Sequence, residues 1–388
     1  MTFFSKHLVR EEYIFSIIIF ALSYFFFSSI DGGDFGFSYD MRTHSGWVSL
    51  YFNGEGSLPL HRFVHLSSYV FSGFSTDISD IRYGMVISMS LFTALRGYFT
   101  IRVLRNLIGE KYKKIPSTFI FVLSFLTIIA MPLPWTIELW DISIYRGSLL
   151  NNQFHSPTQT ANSAFAMGTL SALINTNKLT NKLEPNWIWL YIFYTLAFFS
   201  KPSFLTIATP AFVILSLIQI NERNIDWKKY LGISIYSALL LIMAISWNFG
   251  DDSEGEIIYK PFLLMMNNDR VSTHLYLYSI TLLFAPLVLL SITIWKENKH
   301  KLLSIFIFIC VLAAFLQFSL FVESGPRLYH GNLGWSAKAA WAIMIPVIVG
   351  YGYRHNGWRK YLTIIFIWLT GASGLIHIYN LIIGSYTL

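Results

Sequence analysis

Residues 13–29 have the sequence YIFSIIIFALSYFFFSS, a run of 17 residues without a charged side chain. A stretch of that length can cross a bilayer as a helix. Basic residues precede it and no small-residue cleavage site follows it, so it predicts an uncleaved membrane anchor and not a signal peptide. Similar stretches recur along the 388-residue chain, which is 54% hydrophobic and 13% charged. Because soluble domains are about 25% charged, this composition excludes a soluble globule.

Eleven apolar stretches predict an all-α polytopic bundle of about 11 spans, with residues 1–388 forming a single transmembrane domain. The second stretch carries Arg96 and Arg102 near one end, where long side chains can reach the headgroups. Only a Ser-Lys-Pro-Ser sequence separates the fifth stretch from the sixth, which predicts a tight turn or one broken helix. The stretches fall at about 13–29, 83–101, 115–133, 157–175, 186–200, 203–220, 231–249, 273–295, 302–321, 335–353 and 361–382.

The distribution of Lys and Arg predicts that the N-terminus is cytoplasmic. With that orientation the inner segments hold 19 basic and 7 acidic residues, a net +12, and the rest of the chain holds 9 basic and 14 acidic residues, a net −5. The longer loops, 30–82, 134–156, 250–272 and 322–334, then lie on the outer face, where we expect the activity. The basic residues do not cluster on a soluble face, so the overall charge of +7 does not indicate nucleic-acid binding.

Several chemistries lack their sequence motifs. Cys310 is the only cysteine, which excludes an intramolecular disulfide and a thiol redox pair. The chain has no phosphate-binding Gly-x-x-x-x-Gly-Lys-Ser/Thr loop, no Gly-x-Ser-x-Gly nucleophile turn and no His-Glu-x-x-His zinc helix. Nucleotide hydrolysis, esterase and zinc protease activities are therefore not predicted.

The first outer loop opens with DGGDFGFSYD, residues 31–40, directly after the first span. Carboxylates at a membrane surface become better proton acceptors when burial raises their pKa. Asp31 and Asp34 are therefore candidate general bases, and the alternative is a solvated acidic turn. Further along the loop, residues 62–74 place four apolar side chains on one helical face, which predicts a helix lying in the membrane interface.

Polar side chains also gather where the later outer loops enter the membrane. Asn152 and His155 belong to an amide- and hydroxyl-rich stretch, residues 151–162, that must face protein or a water-filled cavity. Such groups suit hydrogen bonding to sugar hydroxyls, although a lone histidine is more often structural.

The densest cluster of ionisable residues lies between the ninth and tenth spans. Arg327 presents the planar fork of donors that matches phosphate oxygens, and His330 and Lys338 add positive charge. The alternative is an ion pair between Glu323 and Arg327 that only fixes the loop. Lys201, in the Ser-Lys-Pro-Ser turn, is a further candidate phosphate contact or a marker of the interface.

The acidic motif after the first span, the interfacial helix, the polar span mouths and the short inner loops together resemble the GT-C superfamily of membrane glycosyltransferases. Three segments, HSPT at 155–158, SKPS at 200–203 and ESGPRLYHGN at 323–332, are also similar to bacterial polytopic proteins encoded with surface-polysaccharide genes. The resemblance implies a transferase in the bacterial inner membrane that uses a polyprenyl-(di)phosphate-linked sugar and a glycan acceptor at the periplasmic face.

The resemblance implies roles for particular residues. Asp31 or Asp34 corresponds to the acid of the family's first loop, while Glu138 or Asp141 matches the second acidic motif only loosely. No metal ligand or other cofactor is assigned, and dependence on a divalent metal stays open. In the transfer reaction the carboxylate accepts the proton of the acceptor hydroxyl, and cations stabilise the departing lipid phosphate.

Two other functions remain open from the sequence. A polymerase of lipid-linked O-antigen or capsule repeats shares the carrier and the outer face, but such enzymes use larger outer loops with several arginines. A flippase or transporter of lipid-linked sugars would be expected to show inverted repeats and charged residues at the midplane of the membrane. The oligomeric state is not predicted.

Overall fold

The chain is mainly helical in a computed structural model, which describes residues 3–31, 37–59, 61–131, 156–174, 185–222, 226–248, 255–263, 286–292, 301–325 and 332–382. The helices are α1 (Phe3–Ile30), α2 (Phe37–Phe52), α3 (Phe63–Phe71), α4 (Ile78–Ile108), α5 (Ser117–Ile129), α6 (Pro157–Leu173), α7 (Trp187–Ser200), α8 (Ser203–Asn221), α9 (Trp227–Asn248), α10 (Lys301–Leu320), α11 (Trp335–Arg354) and α12 (Trp358–Ile382). Short 3-10 turns, Gly109–Lys114 and Asn332–Gly334, follow α4 and precede α11.

The structure corrects the predicted number of spans. Among the described residues, six helical segments are long and apolar enough to cross a membrane, whereas the sequence predicts eleven spans. α5 and α7 are apolar but shorter, and most of the predicted span 273–295 lies outside the described residues. The six segments are Glu11–Ile30, Ile78–Lys114, Ser203–Asn221, Trp227–Asn248, Lys301–Leu320 and Trp358–Tyr379. They indicate an all-helical membrane bundle.

Two helices at the predicted spans 157–175 and 335–353, α6 and α11, fall outside that set, and both pack in the interior. α6 is buried on every face although it carries Thr158, Gln159 and Asn162. The outer faces of α9 and α12 show the reverse pattern, with Ile242 and Ile365 exposed. Since polar groups are costly in lipid, this arrangement confirms that the polar stretch entering α6 faces protein, for its described residues 156–162.

The sequence SKPS forms a tight turn and not one broken helix. Lys201 has extended backbone angles after α7, and Pro202 precedes α8. The Tyr194 hydroxyl lies 2.9 Å from the Thr209 hydroxyl, so the two helices lie side by side as an antiparallel hairpin. Arg96 also differs from the expectation of a side chain at the headgroups: it lies inside α4 and is 4% exposed.

A small antiparallel ribbon departs from the predicted all-α fold. Strand β1 (Ile257–Tyr259) follows α9 and pairs with strand β2 (Phe321–Glu323), which continues directly from α10. Ile257 is opposite Glu323, and the Ser324 hydroxyl accepts a hydrogen bond from the Glu256 amide at 2.7 Å. The ribbon therefore joins the third and fourth predicted outer loops at one end of the bundle.

The opposite end of the bundle joins segments that the charge pattern predicts to be cytoplasmic. Arg105 Nη1 lies 2.8 Å from Glu12 Oε1, and Lys301 Nζ lies 3.6 Å from Glu222 Oε1. The Lys111 ammonium donates to the Asn356 side-chain oxygen at 3.0 Å. The bundle thus has two ends that correspond to the two predicted groups of loops, while the orientation in a membrane stays a prediction.

Candidate functional site

Two lysines meet on one tryptophan at the end of the bundle that carries the ribbon. Lys201, from the turn between α7 and α8, places its ammonium nitrogen 3.6 Å from the centroid of the Trp335 ring. Lys338, one turn further along α11, places its ammonium nitrogen 4.0 Å from the same centroid. All three side chains are partly exposed. An indole face attracts cations, so Trp335 holds two positive charges close together.

Asp40, in the first turn of α2, supplies a carboxylate to this pair. Burial raises the pKa of Asp40 from 3.8 to about 6, although the positive charges of Lys201 and Lys338 act to lower it. Burial also lowers the pKa of Lys201 to about 8, against the opposing influence of Asp40 and Glu323. Residues that are far apart in the sequence therefore form one electrostatically coupled group.

Two further side chains border the group. β2 brings Glu323 within electrostatic range of Lys201. His377, 1% exposed on α12, is within electrostatic range of Lys338. We define the lysine site as Asp40, Lys201, Glu323, Trp335 and Lys338. It has two cations, two carboxylates and one aromatic face, so it suits an anionic ligand that must also meet a proton acceptor.

Contacts between α2 and α3 hold Asp40 in place. His44 lies one turn after Asp40, and its Nδ1 atom is hydrogen-bonded to the Nε2 atom of buried His65 at 2.8 Å. Burial lowers the pKa of His65 to about 4, so the ring stays neutral near pH 7. The rings of Phe52 and Tyr69 stack with centroids 3.5 Å apart. The two helices therefore pack together as a hairpin with Asp40 near its start.

A helix does form within the predicted segment 62–74, over Phe63–Phe71, and the structure reveals which of its side chains point inward. His65 is buried, whereas Leu66, Val70 and Phe74 are 39%, 51% and 65% exposed. Phe63 packs inward, with its ring centroid 5.4 Å from that of Phe165 on α6. His65 and Phe63 therefore face the protein and Leu66 and Val70 face outward, while the position of α3 in a membrane interface stays a prediction.

Asp31 makes a different set of contacts. Arg82, near the start of α4, donates through Nε and Nη2 to Asp31 Oδ1 at 3.0 and 2.9 Å, and Nη2 also contacts the Asp31 carbonyl oxygen. This ion pair joins the end of α1 to α4. The carboxylate of Asp31 is therefore engaged by a guanidinium.

The structure brings together three of the predicted site residues, Lys201, Glu323 and Lys338. Five others lie outside the described residues, namely Asp34, Asn152, His155, Arg327 and His330, as do Glu138 and Asp141. The described ranges contain no group of three or more His, Cys, Asp or Glu side chains able to hold a metal ion. A metal site is therefore not assigned.

The sequence analysis assigned no role to Asp40 or Trp335, although both stand in the segments it selected. If residues 37–52 form a helix, Asp40 and His44 lie on the same face because they are four residues apart. This spacing can be recognised in the sequence. The convergence of α2, the α7–α8 turn and α11 is a tertiary feature, and no local pattern encodes it.

Comparisons with family models, with curated proteins and with solved structures give no match to this chain. The functional argument therefore depends on the chemistry of the lysine site.

Proposed function

We propose that the protein is an integral membrane glycosyltransferase that takes a sugar from a polyprenyl-(di)phosphate carrier at the outer face of a bacterial inner membrane. The sugar is added to a glycan acceptor during the assembly of a surface polysaccharide such as O-antigen. The observation that carries this proposal is the lysine site, in which Lys201 and Lys338 converge on Trp335 beside Asp40. Paired cations next to an elevated-pKa carboxylate fit a reaction with a phosphate leaving group and a hydroxyl nucleophile.

The reaction requires that charge be balanced at two points. The acceptor oxygen forms a bond to the anomeric carbon, and the bond from that carbon to the phosphate oxygen breaks with its electron pair. The hydroxyl proton passes to the Asp40 carboxylate, which acts as general base. Lys201 and Lys338 stabilise the negative charge that develops on the lipid phosphate. Glu323 lowers the local excess of positive charge and favours release of the phosphate.

In this proposal Asp40 takes the role for which the sequence suggested Asp31 or Asp34. The ion pair with Arg82 gives Asp31 a structural partner at 2.9 Å. Asp40, in contrast, interacts with the two lysines that would bind the leaving group. Asp34 stays a sequence prediction, and Arg327 and His330 stay predicted contacts to the phosphate.

Substitution of the carboxylates tests the assignment. We expect Asp40→Asn to lower turnover of a polyprenyl-phosphate sugar by about 10² to 10⁴, the usual contribution of a positioned base. Asp31→Asn is the matched control and should weaken the contact with Arg82 while the folded protein keeps most of its turnover. The measurement is transfer of radiolabelled sugar by purified protein, normalised to folded protein. Full activity of Asp40→Asn, or loss of activity only in Asp31→Asn, contradicts the role of Asp40.

One observation favours transport of a lipid-linked sugar as a second candidate function. Arg96 is buried within the candidate span Ile78–Lys114, and charged residues inside spans often mark transport pathways. Liposomes distinguish the two functions: a transporter moves a fluorescent lipid-phosphate sugar between leaflets without an acceptor, and Arg96→Gln should slow that movement. A transferase consumes the carrier-linked sugar only when the acceptor is present.

A further inference from the structure

Two buried amide side chains lie beside the lysine site with part of their hydrogen-bonding capacity unused. Gln159 and Asn162, near the start of α6, are both 0% exposed. The Asn162 amide nitrogen donates to the Ser203 hydroxyl at 3.0 Å, and that hydroxyl donates to the Gln159 side-chain oxygen at 3.2 Å. Ser203 begins α8 two residues after Lys201, so their Cα atoms are within about 7 Å.

The unused atoms form a complementary set. Gln159 Nε2, Asn162 Oδ1 and Ser163 Oγ are buried and have no hydrogen-bond partner in the structure. A buried polar group without a partner destabilises a fold, whereas an apolar group of the same shape does not. The chain nevertheless places a free donor and a free acceptor within one helical turn of each other.

A hydroxyl group is the ligand that satisfies such a pair, because it donates one hydrogen bond and accepts others. A phosphate oxygen could use only the amide donor, and a cation could use only the carbonyl acceptor. Lys201 and Lys338 supply the contacts for phosphate, whereas the amides of α6 supply the contacts for a hydroxyl group. Phosphate and sugar would therefore be recognised by different, neighbouring side chains.

We propose that Gln159 and Asn162, oriented by Ser203, form the subsite that recognises ring hydroxyl groups of the sugar carried by the lipid phosphate. This inference rests on the proposed function and names the residues that determine its sugar specificity. Because both amides are fully buried, a sugar reaches their unused atoms only when α6 separates locally from its neighbours while Ser203 keeps its hydrogen bonds to the two amides.

Binding measurements with defined carriers test the proposal. The probes are undecaprenyl phosphate and its glucose, galactose and mannose esters, each titrated into purified full-length protein in detergent. We expect the wild-type protein to bind at least one sugar ester about tenfold or more tightly than the bare carrier, since sites built for a hydroxyl discriminate strongly against its absence. Gln159→Met should abolish this preference and leave the affinity for undecaprenyl phosphate unchanged.

Gln219 provides a matched control. It is also buried, on α8, and both of its side-chain polar atoms lack a partner in the structure. Gln219→Met should retain the preference for the sugar ester, while Lys201→Gln should weaken binding of all four carriers. Ser203→Ala removes only the hydroxyl that orients the amides and should reduce the preference even if Gln159→Met fails to fold.

The possible results separate this inference from the proposed function. A retained sugar preference in both Gln159→Met and Ser203→Ala overturns the subsite alone. Equal affinity of the wild-type protein for all four carriers also overturns the subsite, and the amides then hold only internal water. If the wild-type protein binds no carrier, the proposed function fails and the subsite fails with it.

Discussion

Asp40 and Lys201 titrate on opposite sides of neutrality because burial disfavours the charged form of each. The pKa of Asp40 is raised to about 6 and that of Lys201 is lowered to about 8. The proposed reaction needs the carboxylate form of Asp40 and the ammonium form of Lys201. We therefore expect kcat/KM for a polyprenyl-phosphate sugar to fall as the pH drops below about 6. It should also fall at alkaline pH as Lys338 and Lys201, whose pKa values burial lowers to about 7 and about 8, lose their protons.

Two variants identify the residue that causes each limb of this pH profile. The pH dependence of kcat/KM reports the pKa values of groups in the free enzyme. Lys201→Arg combined with Lys338→Arg keeps both charges and should move the alkaline limb upward, because a guanidinium stays protonated in proteins. The residual activity of Asp40→Asn should lack the acidic limb. A profile that is flat between pH 5 and 9 in the wild-type protein would contradict the roles of both residues.

The residues of the lysine site differ in how far the sequence predicts them. Lys201 and Lys338 are recognisable because a charged residue at the mouth of an apolar span is costly unless it has a function or a partner. Asp40 stands in the acidic motif, but Asp31 and Asp34 carry the same chemistry nearer to the span. Only the fold reveals that Arg82 engages Asp31 and that α2 directs Asp40 toward the lysines.

At the level of elements, the close approach of α3 to α4 depends on Gly84. A Cβ atom at Gly84 would contact the Ser68 carbonyl oxygen and lie 2.8 Å from the Ser72 nitrogen. We expect Gly84→Ala to force α3 away from α4, at a cost of about 1–3 kcal/mol in the free energy of unfolding. Because α3 holds α2, transfer activity should fall as well.

Gly46 offers the control for this substitution, since a Cβ atom there meets nothing within 4 Å. Gly46→Ala should leave the melting temperature of the detergent-solubilised protein unchanged or raise it, because alanine favours the helical conformation of α2. Equal melting temperatures for the Gly46→Ala and Gly84→Ala proteins would contradict the proposed close packing of α3.

The predicted apolar stretches coincide with helices that have exposed outer faces, such as α9, and also with the interior helices α6 and α11. α9 and α10 qualify as candidate spans by their length and apolar composition. α6 and α11 are shielded by their neighbours, so polar residues and glycines are tolerated in them. Gly352, for example, lets α11 approach Thr363 of α12. A count of apolar stretches therefore exceeds the six candidate spans found among the described residues.

At the scale of the whole molecule, the charge asymmetry predicts that the lysine site faces outward. In a Cys310→Ala background, Ser57→Cys in the first outer loop should react with an impermeant thiol reagent in intact cells, whereas Lys114→Cys should react only after permeabilisation. Both positions are exposed in the structure. Reaction of Lys114→Cys in intact cells would reverse the orientation and place the lysine site on the cytoplasmic side.

The distance along the chain between the parts of the lysine site has a consequence for biogenesis. About 300 residues separate Asp40 from Lys338, and at ~5–20 residues per second a ribosome needs about 15–60 s to synthesise them. During that interval the α2–α3 hairpin has already left the ribosome, while the helix that carries Trp335 and Lys338 has not been made. The lysine site of the nascent protein is therefore incomplete until α11, the penultimate described helix, is inserted.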